Sequence, residues 1–299
     1  MSISIPDIGF GLGTARYKGS SHNNDGSEID VSLVETAILA LESGFRHLDL
    51  AEMYGNDREA AIAIKKFTGK NPSIKREDLW ITSKLMGSMK YPLIGCQDIL
   101  DRLDIQYIDL LLLHCPLEFL KAKDPSCSAI KIDQIWKDME ELVKLGKVRY
   151  IGISNFRISD IEELLKTANI KPFMNQVEFN PYLQQSELQN FCHEHGIRMA
   201  AYSPLGPVSL WPGGPLDEIL SSLSDKYNIS VSSLLLKYTI QRGYTAITTT
   251  SRKERMDEYT QMISSYSPPL IKEDLDSIDL MGNTFIRRKF WASDFKTES

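Results

Sequence analysis

The chain is sparing with residues that build covalent or metal-held scaffolds. Its four cysteines, Cys96, Cys115, Cys127 and Cys192, are scattered over 299 residues, which speaks against a disulfide framework. Histidine is also scarce. One stretch where it meets cysteine, "CHEH" at 192–195, reads as the last turns of a surface helix stopped by Gly196. A structural zinc wants four ligands, and with no second ligand pair evident no metal site is expected. Positive charge is in deficit: 34 Lys and Arg against 40 Asp and Glu give a net charge of -6 and a pI near 5.5. Both signs are dispersed along the chain, without the basic face that nucleic acid or an anionic membrane requires. No apolar run approaches the ~20 residues of a membrane helix. The start, "MSISIPDIGFGLG", lacks the basic and apolar segments of a secretory signal. A cytoplasmic protein is expected.

What the chain does have is alternation. It is 42% hydrophobic, enough for a large core. Short apolar runs at 8–13, 45–50, 79–83, 108–113, 148–153, 174–178, 197–202 and 244–248 read as strands. Helical patterns at about 30–43, 56–67, 92–103, 133–145, 158–167, 185–195, 215–227 and 253–263 separate them. Asp30 is a fitting N-cap for the first helix, and Gly44 ends it. The strands are continuously apolar, "IDLLLL" above all, as parallel strands covered on both faces must be. Eight such units fit an α/β (β/α)₈ TIM barrel, here one domain over 1–299 with an N-terminal strand or hairpin region. The rival is an open dinucleotide-binding sheet, suggested by "GFGLGT" at 9–14. That fingerprint must open a helix directly, whereas here it runs into the polar loop "ARYKGSSHNNDGSE". The barrel is preferred.

In a barrel, chemistry sits at the C-terminal ends of the strands. Asp49 and Tyr54 follow strand two, Lys84 closes strand three, and His114 closes strand four. Lys84 follows Asp49 by 35 residues and His114 follows Lys84 by 30, one strand–helix unit each. Each residue alone has an ordinary structural explanation, a snorkelling lysine or a strand-capping histidine. Four at one rim ask for another. A phenol titrates near ~10, a neighbouring ammonium lowers that value, and a carboxylate keeps the ammonium charged. With a histidine to orient a carbonyl oxygen, the set is a proton donor for a developing alkoxide. It suits carbonyl reduction by a hydride carrier.

The stretch "GFRHLDLAEMYGN" (44–56) resembles the aldo-keto reductase signature G-[FY]-R-H-x-D-x-A-x-x-Y-G-N. "GKVRYIGISNF" (146–156), "NQVEFNPYLQ" (175–184) and "AYSPLG" (201–206) resemble further blocks of that family, in order along almost the whole chain. The resemblance implies a (β/α)₈ barrel, usually monomeric, that reduces aldehydes and ketones with a nicotinamide cofactor. It also implies a catalytic tetrad of Asp49, Tyr54, Lys84 and His114. For the cofactor it implies Ser154, Asn155 and Gln176 at the carboxamide, with Asp49 beside them, and Tyr202 stacked on the ring. Ser203 and Leu205 would border the pyrophosphate and Thr14 the ribose. Locally, Asn155 reads equally well as a helix N-cap.

Where the family often carries larger groups, this chain has Ala15, Met86 and Cys115, implying a roomier substrate pocket. Trp211, in "LGPVSLWPGGP", is expected as a pocket wall or a loop anchor. The loops 15–29 and 115–132 and the tail "FIRRKFWASDF" are further candidates to surround the substrate. Relatives that prefer NADPH usually grip its 2′-phosphate with a lysine and, further on, an arginine. Here Thr249 takes the lysine's place, followed by Thr250 and Ser251, and the arginine is Arg255. NADPH is therefore expected, with appreciable NADH use. "TTTSRKER" (248–255) resembles a fungal branch reducing conjugated polyketones and ketopantoyl lactone, which implies α-dicarbonyls among the substrates. A regulatory, channel-subunit-like barrel that binds cofactor with little turnover, and a non-catalytic scaffold, are the rival readings.

Overall fold

In the computed structural model the described residues are 4–13, 28–123, 129–263, 268–293 and 295. The apolar runs form eight parallel strands: β1 (Ile8–Gly11), β2 (His47–Asp49), β3 (Trp80–Leu85), β4 (Ile108–Leu113), β5 (Val148–Ser154), β6 (Met174–Glu178), β7 (Arg198–Tyr202) and β8 (Tyr244–Thr248). Each pairs with its successor, and β8 returns to β1, closing the barrel. The helices between them are α1 (Val31–Glu42), α2 (Asp57–Lys70), α3 (Pro92–Leu103), α4 (Leu117–Lys123), α5 (Ile132–Lys144), α6 (Ile158–Leu165), α7 (Ser186–Glu194), α8 (Gly206–Ser209), α9 (Asp217–Tyr227), α10 (Val231–Gln241), α11 (Lys253–Met262) and α12 (Lys272–Gly282).

Local chemistry explains their ends. Asp30 caps α1 by accepting from Leu33 N at 3.0 Å, and Pro92 opens α3 at a position whose N–H is dispensable. Helix α5 turns Ile135, Trp136, Met139 and Leu142 into the core, each apolar side chain contributing about 1.5–3 kcal/mol of burial. The Trp136 indole N–H reaches Ile170 O at 2.8 Å.

Four helices differ from the expected alternation. Helix α10 buries Leu234, Leu235, Leu236, Tyr238 and Thr239, so it shows no one-sided stripe. The others, α4, α8 and α12, stand outside the eight strand–helix repeats. At the N-terminus the strand is β1 itself: residues 4–6 enter it without strand structure, and Ile5 is buried among Trp80, Leu110, Leu112, Met174, Ala200 and Ile247.

That small cluster fills the barrel interior, separate from the larger core under the helices. Alternate residues of a strand face opposite sides, which sets the order of inward side chains. Trp80, Thr82 and Lys84 follow one another up β3; Leu110, Leu112 and then His114 follow up β4. The bottom is sealed by the stacked rings of Trp80, Tyr150 and Phe173. The top layer is polar.

Beneath that polar layer His47 is buried, its Nε2 2.9 Å from Thr82 Oγ1. Burial, with the Lys84 ammonium also opposing the charge and Asp49 only partly offsetting, lowers its pKa to about 4. The fold therefore favours the neutral ring. This contribution is complete above the unfolded value near 6.5 and is lost as pH falls from there to about 4. We predict a loss from this site on the order of 3 kcal/mol over that window. Urea midpoints between pH 7 and 4 should fall less steeply for His47→Gln than for the wild type; parallel profiles would contradict it.

Candidate active site

At the C-terminal rim, strand alternation points Asp49, Lys84, Ser154 and Gln176 to the barrel axis. Lys84, 1% exposed, donates from Nζ to Asp49 Oδ1 at 2.6 Å and to Leu50 O at 2.8 Å. Burial works against its charge, but Asp49 and Tyr54 together hold its pKa above the ordinary lysine value. From across the barrel Gln176 Nε2 donates to Asp49 Oδ2 at 2.7 Å. The carboxylate is thus fixed through both oxygens.

Tyr54 ends a 3₁₀ turn, Glu52–Tyr54, closed by Gly55 in the left-handed region at φ 68°, where glycine is unstrained. Glu52 ties this turn to the segment after β3, accepting from Met86 N at 2.8 Å and from Ser88 N. Gly13 crosses the tyrosine ring so closely that a Cβ there would lie 2.4 Å from Tyr54 Cζ. The result places Lys84 Nζ 3.4 Å from Tyr54 Oη. Burial raises the phenol above its usual pKa and Lys84 offsets only part of this, so the expected lowering by the ammonium is outweighed by desolvation. His114 stands edge-on to Tyr54, ring centroids 6.0 Å apart. Burial, aided by the Lys84 charge, holds it well below its usual pKa and hence neutral. Its Nδ1 has no hydrogen-bond partner among the described residues.

Ser154 Oγ donates to Gln176 O at 2.8 Å. Asn155 Nδ2 donates to His114 O at 2.9 Å and to Ser154 Oγ at 3.1 Å, and its Oδ1 accepts from Tyr202 Oη at 2.7 Å. Asn155 and Ser203 both adopt left-handed backbone, φ 62° and 57°, a strain that collects at functional sites.

These side chains share one cavity of about 830 Å³, lined by Asp49, Tyr54, His114, Ser154, Asn155, Gln176, Tyr202, Ser203, Leu205 and Thr249 among others. A second, of about 600 Å³, is lined by Thr249, Thr250, Ser251, Arg252 and Arg255 together with Leu33 and Thr36 of α1. Gly11 and Thr249 border both. The two cavities thus adjoin, the larger with the buried polar side chains and the smaller with the guanidinium groups.

The expected substrate walls fare differently. Met86, Cys115 and Trp211 do not line the cavity. The Cys115 and Met86 sulfurs pack 3.7 Å apart with Cys115 buried, and Trp211 sits edge-on to Tyr182 as a loop anchor. Thr14, Ala15, most of loop 15–29 and residues 124–128 of loop 115–132 lie outside the described residues. Met53 is an unforeseen wall, Leu210 comes from the loop 205–215 expected to surround the substrate, and the tail supplies Phe290, Trp291 and Ser293. The adjacent aromatics Phe290 and Trp291 were the tail's signal in the sequence. Of the "CHEH" stretch, Cys192 is buried and His195 stacks on Phe191. Among the described residues no group of three His, Cys, Asp or Glu could hold a metal ion. Nor, among them, is any helix long and apolar enough to cross a membrane.

Fold and site together define a (β/α)₈ barrel with its titratable side chains gathered at the strand C-termini. The profile of the Aldo/keto reductase family matches residues 9–282, and the chain belongs to that family. It is 38% identical over 292 residues to the NAD/NADP-dependent indole-3-acetaldehyde reductase of Schizosaccharomyces pombe, covering 97% of this chain and 96% of that one. It is 34% identical over 289 residues to the NADPH-dependent alpha-keto amide reductase of Saccharomyces cerevisiae, covering 93% and 88%. Among solved structures, a Bombyx mori aldo-keto reductase in complex with NADP superposes with a TM-score of 0.80 at 30% identity, covering 96% and 93%.

Breaking the Lys84–Asp49 pair should leave an uncompensated buried ammonium. We predict that Asp49→Asn destabilises the fold at pH 7 by about 3–5 kcal/mol and that the loss shrinks as pH rises and Lys84 deprotonates. Adding Lys84→Met should restore part of it. If the two losses simply add in a double-mutant cycle, the pair carries no coupling.

Proposed function

We propose that the protein reduces aldehydes and ketones, α-dicarbonyls among them, to alcohols with NADPH, accepting NADH less well. The observation that carries this reading is the Tyr54 hydroxyl 3.4 Å from the buried Lys84 ammonium, in the same cavity as a neutral His114. Two adjoining cavities that share Gly11 and Thr249, with His114 lining the larger, support a long ligand with its reacting end at the tetrad. The relatives named for indole-3-acetaldehyde and α-keto amides support a carbonyl substrate.

A bound reduced nicotinamide would supply the hydride. Ser154, Asn155 and Gln176 would hold its carboxamide, and Tyr202 would lie against its ring. The Tyr202 hydroxyl is tethered to Asn155, which fixes that ring in advance. Ser203 and Leu205 would border the pyrophosphate.

The rest is proton chemistry done by this chain. Tyr54 is protonated at neutral pH, burial outweighing the pull of Lys84, and its Oη can give a proton to the oxygen of the substrate. Lys84 Nζ then stabilises the phenolate left behind, and Asp49 keeps that ammonium charged. His114 bears no charge and can orient the carbonyl oxygen by a hydrogen bond without competing as an acid.

At the far end, Arg255 and Arg252 line the second cavity with the hydroxyls of Thr249, Thr250 and Ser251. A 2′-phosphate held there would meet two guanidinium groups and the N-terminus of α11. Lys253 is not among the lining residues and pairs with Asp257 at 2.6 Å. This supports Arg252, rather than Lys253, as the group that would replace the ammonium missing at Thr249.

Two measurements test these roles. Tyr54→Phe should lower turnover at least ~10²-fold, the scale of a lost general acid, while cofactor still binds by fluorescence titration; near-normal turnover in the folded variant would remove Tyr54 from the role. Arg255→Ala should weaken NADPH binding by about 1.5–3 kcal/mol, the range for hydrogen bonds to charged groups, and barely change NADH. Equal losses with both cofactors would mean that Arg255 does not read the phosphate.

A further inference from the structure

Glu178 stands two residues above Gln176 on β6 and is fully buried. The chemistry described above makes no use of it. Its carboxylate instead takes main-chain N–H groups of the C-terminal segment. Lys289 N lies 2.9 Å from Oε1 and 3.2 Å from Oε2, and Phe290 N lies 2.8 Å from Oε2. A carboxylate drawn out of water needs such donors, and the tail supplies them.

Other threads converge on the same stretch. Arg287 N donates to Tyr182 O at 2.9 Å. The Arg288 guanidinium donates to Gln185 Oε1 at 3.3 Å, and Gln185 in turn donates to the Glu178 carbonyl. Just beyond the anchor, Trp291 adopts the left-handed region at φ 57°, which a bulky side chain avoids unless its surroundings impose it. Its ring stacks on Phe119 of α4 at 5.7 Å, and Phe290 meets Tyr202 edge-on at 5.7 Å. Phe290, Trp291 and Ser293 form part of the wall of the larger cavity. A wall belonging to a terminal tail stays in place only if its backbone is fastened, and Glu178 is the buried charge that fastens it.

We propose that Glu178 is a positioning residue whose carboxylate latches the C-terminal segment as a wall of the cavity, and that this latch sets the size of carbonyl compound the enzyme selects. The selection half rests on the carbonyl-reductase reading; the latch itself does not. With the wall in place, a small aldehyde is confined against Phe290 and Trp291. Without it, small substrates lose contacts while a fused-ring diketone, which fills the space by itself, loses none.

The test uses the full chain. Arg287, Arg288 and Lys289 are three adjacent tryptic sites, and Glu178→Ala should speed trypsin cleavage there by about tenfold, as expected when a held segment opens more often. Glu178→Gln, which keeps one acceptor oxygen but loses the charge, should fall between the wild type and Glu178→Ala. Lys289→Pro removes one latched N–H from the tail side but also two of the tryptic bonds, so it is read through KM for propanal, where it should act in the same direction as Glu178→Ala, with no further effect when the two are combined. In NADPH-dependent reduction, Glu178→Ala should raise KM for propanal by about tenfold, the worth of roughly one lost hydrogen bond to a charged group. It should leave kcat little changed and KM for phenanthrenequinone the same or lower. Unchanged tryptic protection in Glu178→Ala would overturn the latch. A loosened tail with KM values rising equally for both substrates, or with kcat collapsing instead, would overturn its role in selection. If the wild-type chain reduced neither carbonyl, the carbonyl-reductase reading and with it the selection role would fall, while the trypsin result would still decide the latch.

Discussion

The site is organised around one unfavourable act, the burial of the Lys84 ammonium. An isolated charge taken from water would shed its proton. Here Asp49 at 2.6 Å and the Leu50 carbonyl at 2.8 Å keep it charged. The requirement then propagates. Asp49 must itself be fixed, so Gln176 reaches it from across the barrel, and Gln176 is held beside Ser154 through its own carbonyl. Closing the sheet is what allows these residues, far apart in sequence, to meet in one layer.

The same buried charge separates the states of its neighbours. Desolvation pushes Tyr54 up and His114 down, and the ammonium pulls the phenol partly back while reinforcing the neutral imidazole. Tyr54 is left as the group that holds a transferable proton, and His114 as a neutral hydrogen-bonding partner. Two titratable groups driven in opposite directions by one environment is the pattern that sorts acids from bases in a site. The ammonium does not make the phenol acidic outright. It limits how far burial can make it inert.

Much of this was legible in the sequence, for reasons that are local. Runs such as "IDLLLL" announce strands covered on both faces, and inward residues at the strand ends follow from the two-residue period. That is enough to bring Asp49, Lys84 and His114 to one rim. What was not legible depends on long-range packing. Helix α10 is wrapped in core and has no polar stripe to betray it. Met86 and Cys115 stand beside tetrad residues in sequence, yet their sulfurs turn toward each other and away from the cavity. Trp211 is taken up by Tyr182. Conversely, Phe290 and Trp291 reach the cavity because a glutamate 112 residues before Phe290 holds its backbone N–H, a pairing that no local pattern encodes. Thr36 and Arg255 line one cavity because α1 packs beside α11.

The central claim is that Tyr54 keeps its proton through burial and owes its remaining acidity to Lys84. The most direct measurement is an NMR titration of ¹³Cζ-labelled tyrosine in the cofactor-free protein, with the Tyr54 resonance assigned by its disappearance in Tyr54→Phe. The account predicts a Tyr54 pKa above the ordinary tyrosine value near ~10, rising further in Lys84→Met. A Tyr54 that titrates below that value, or one that does not respond to the loss of Lys84, would contradict it.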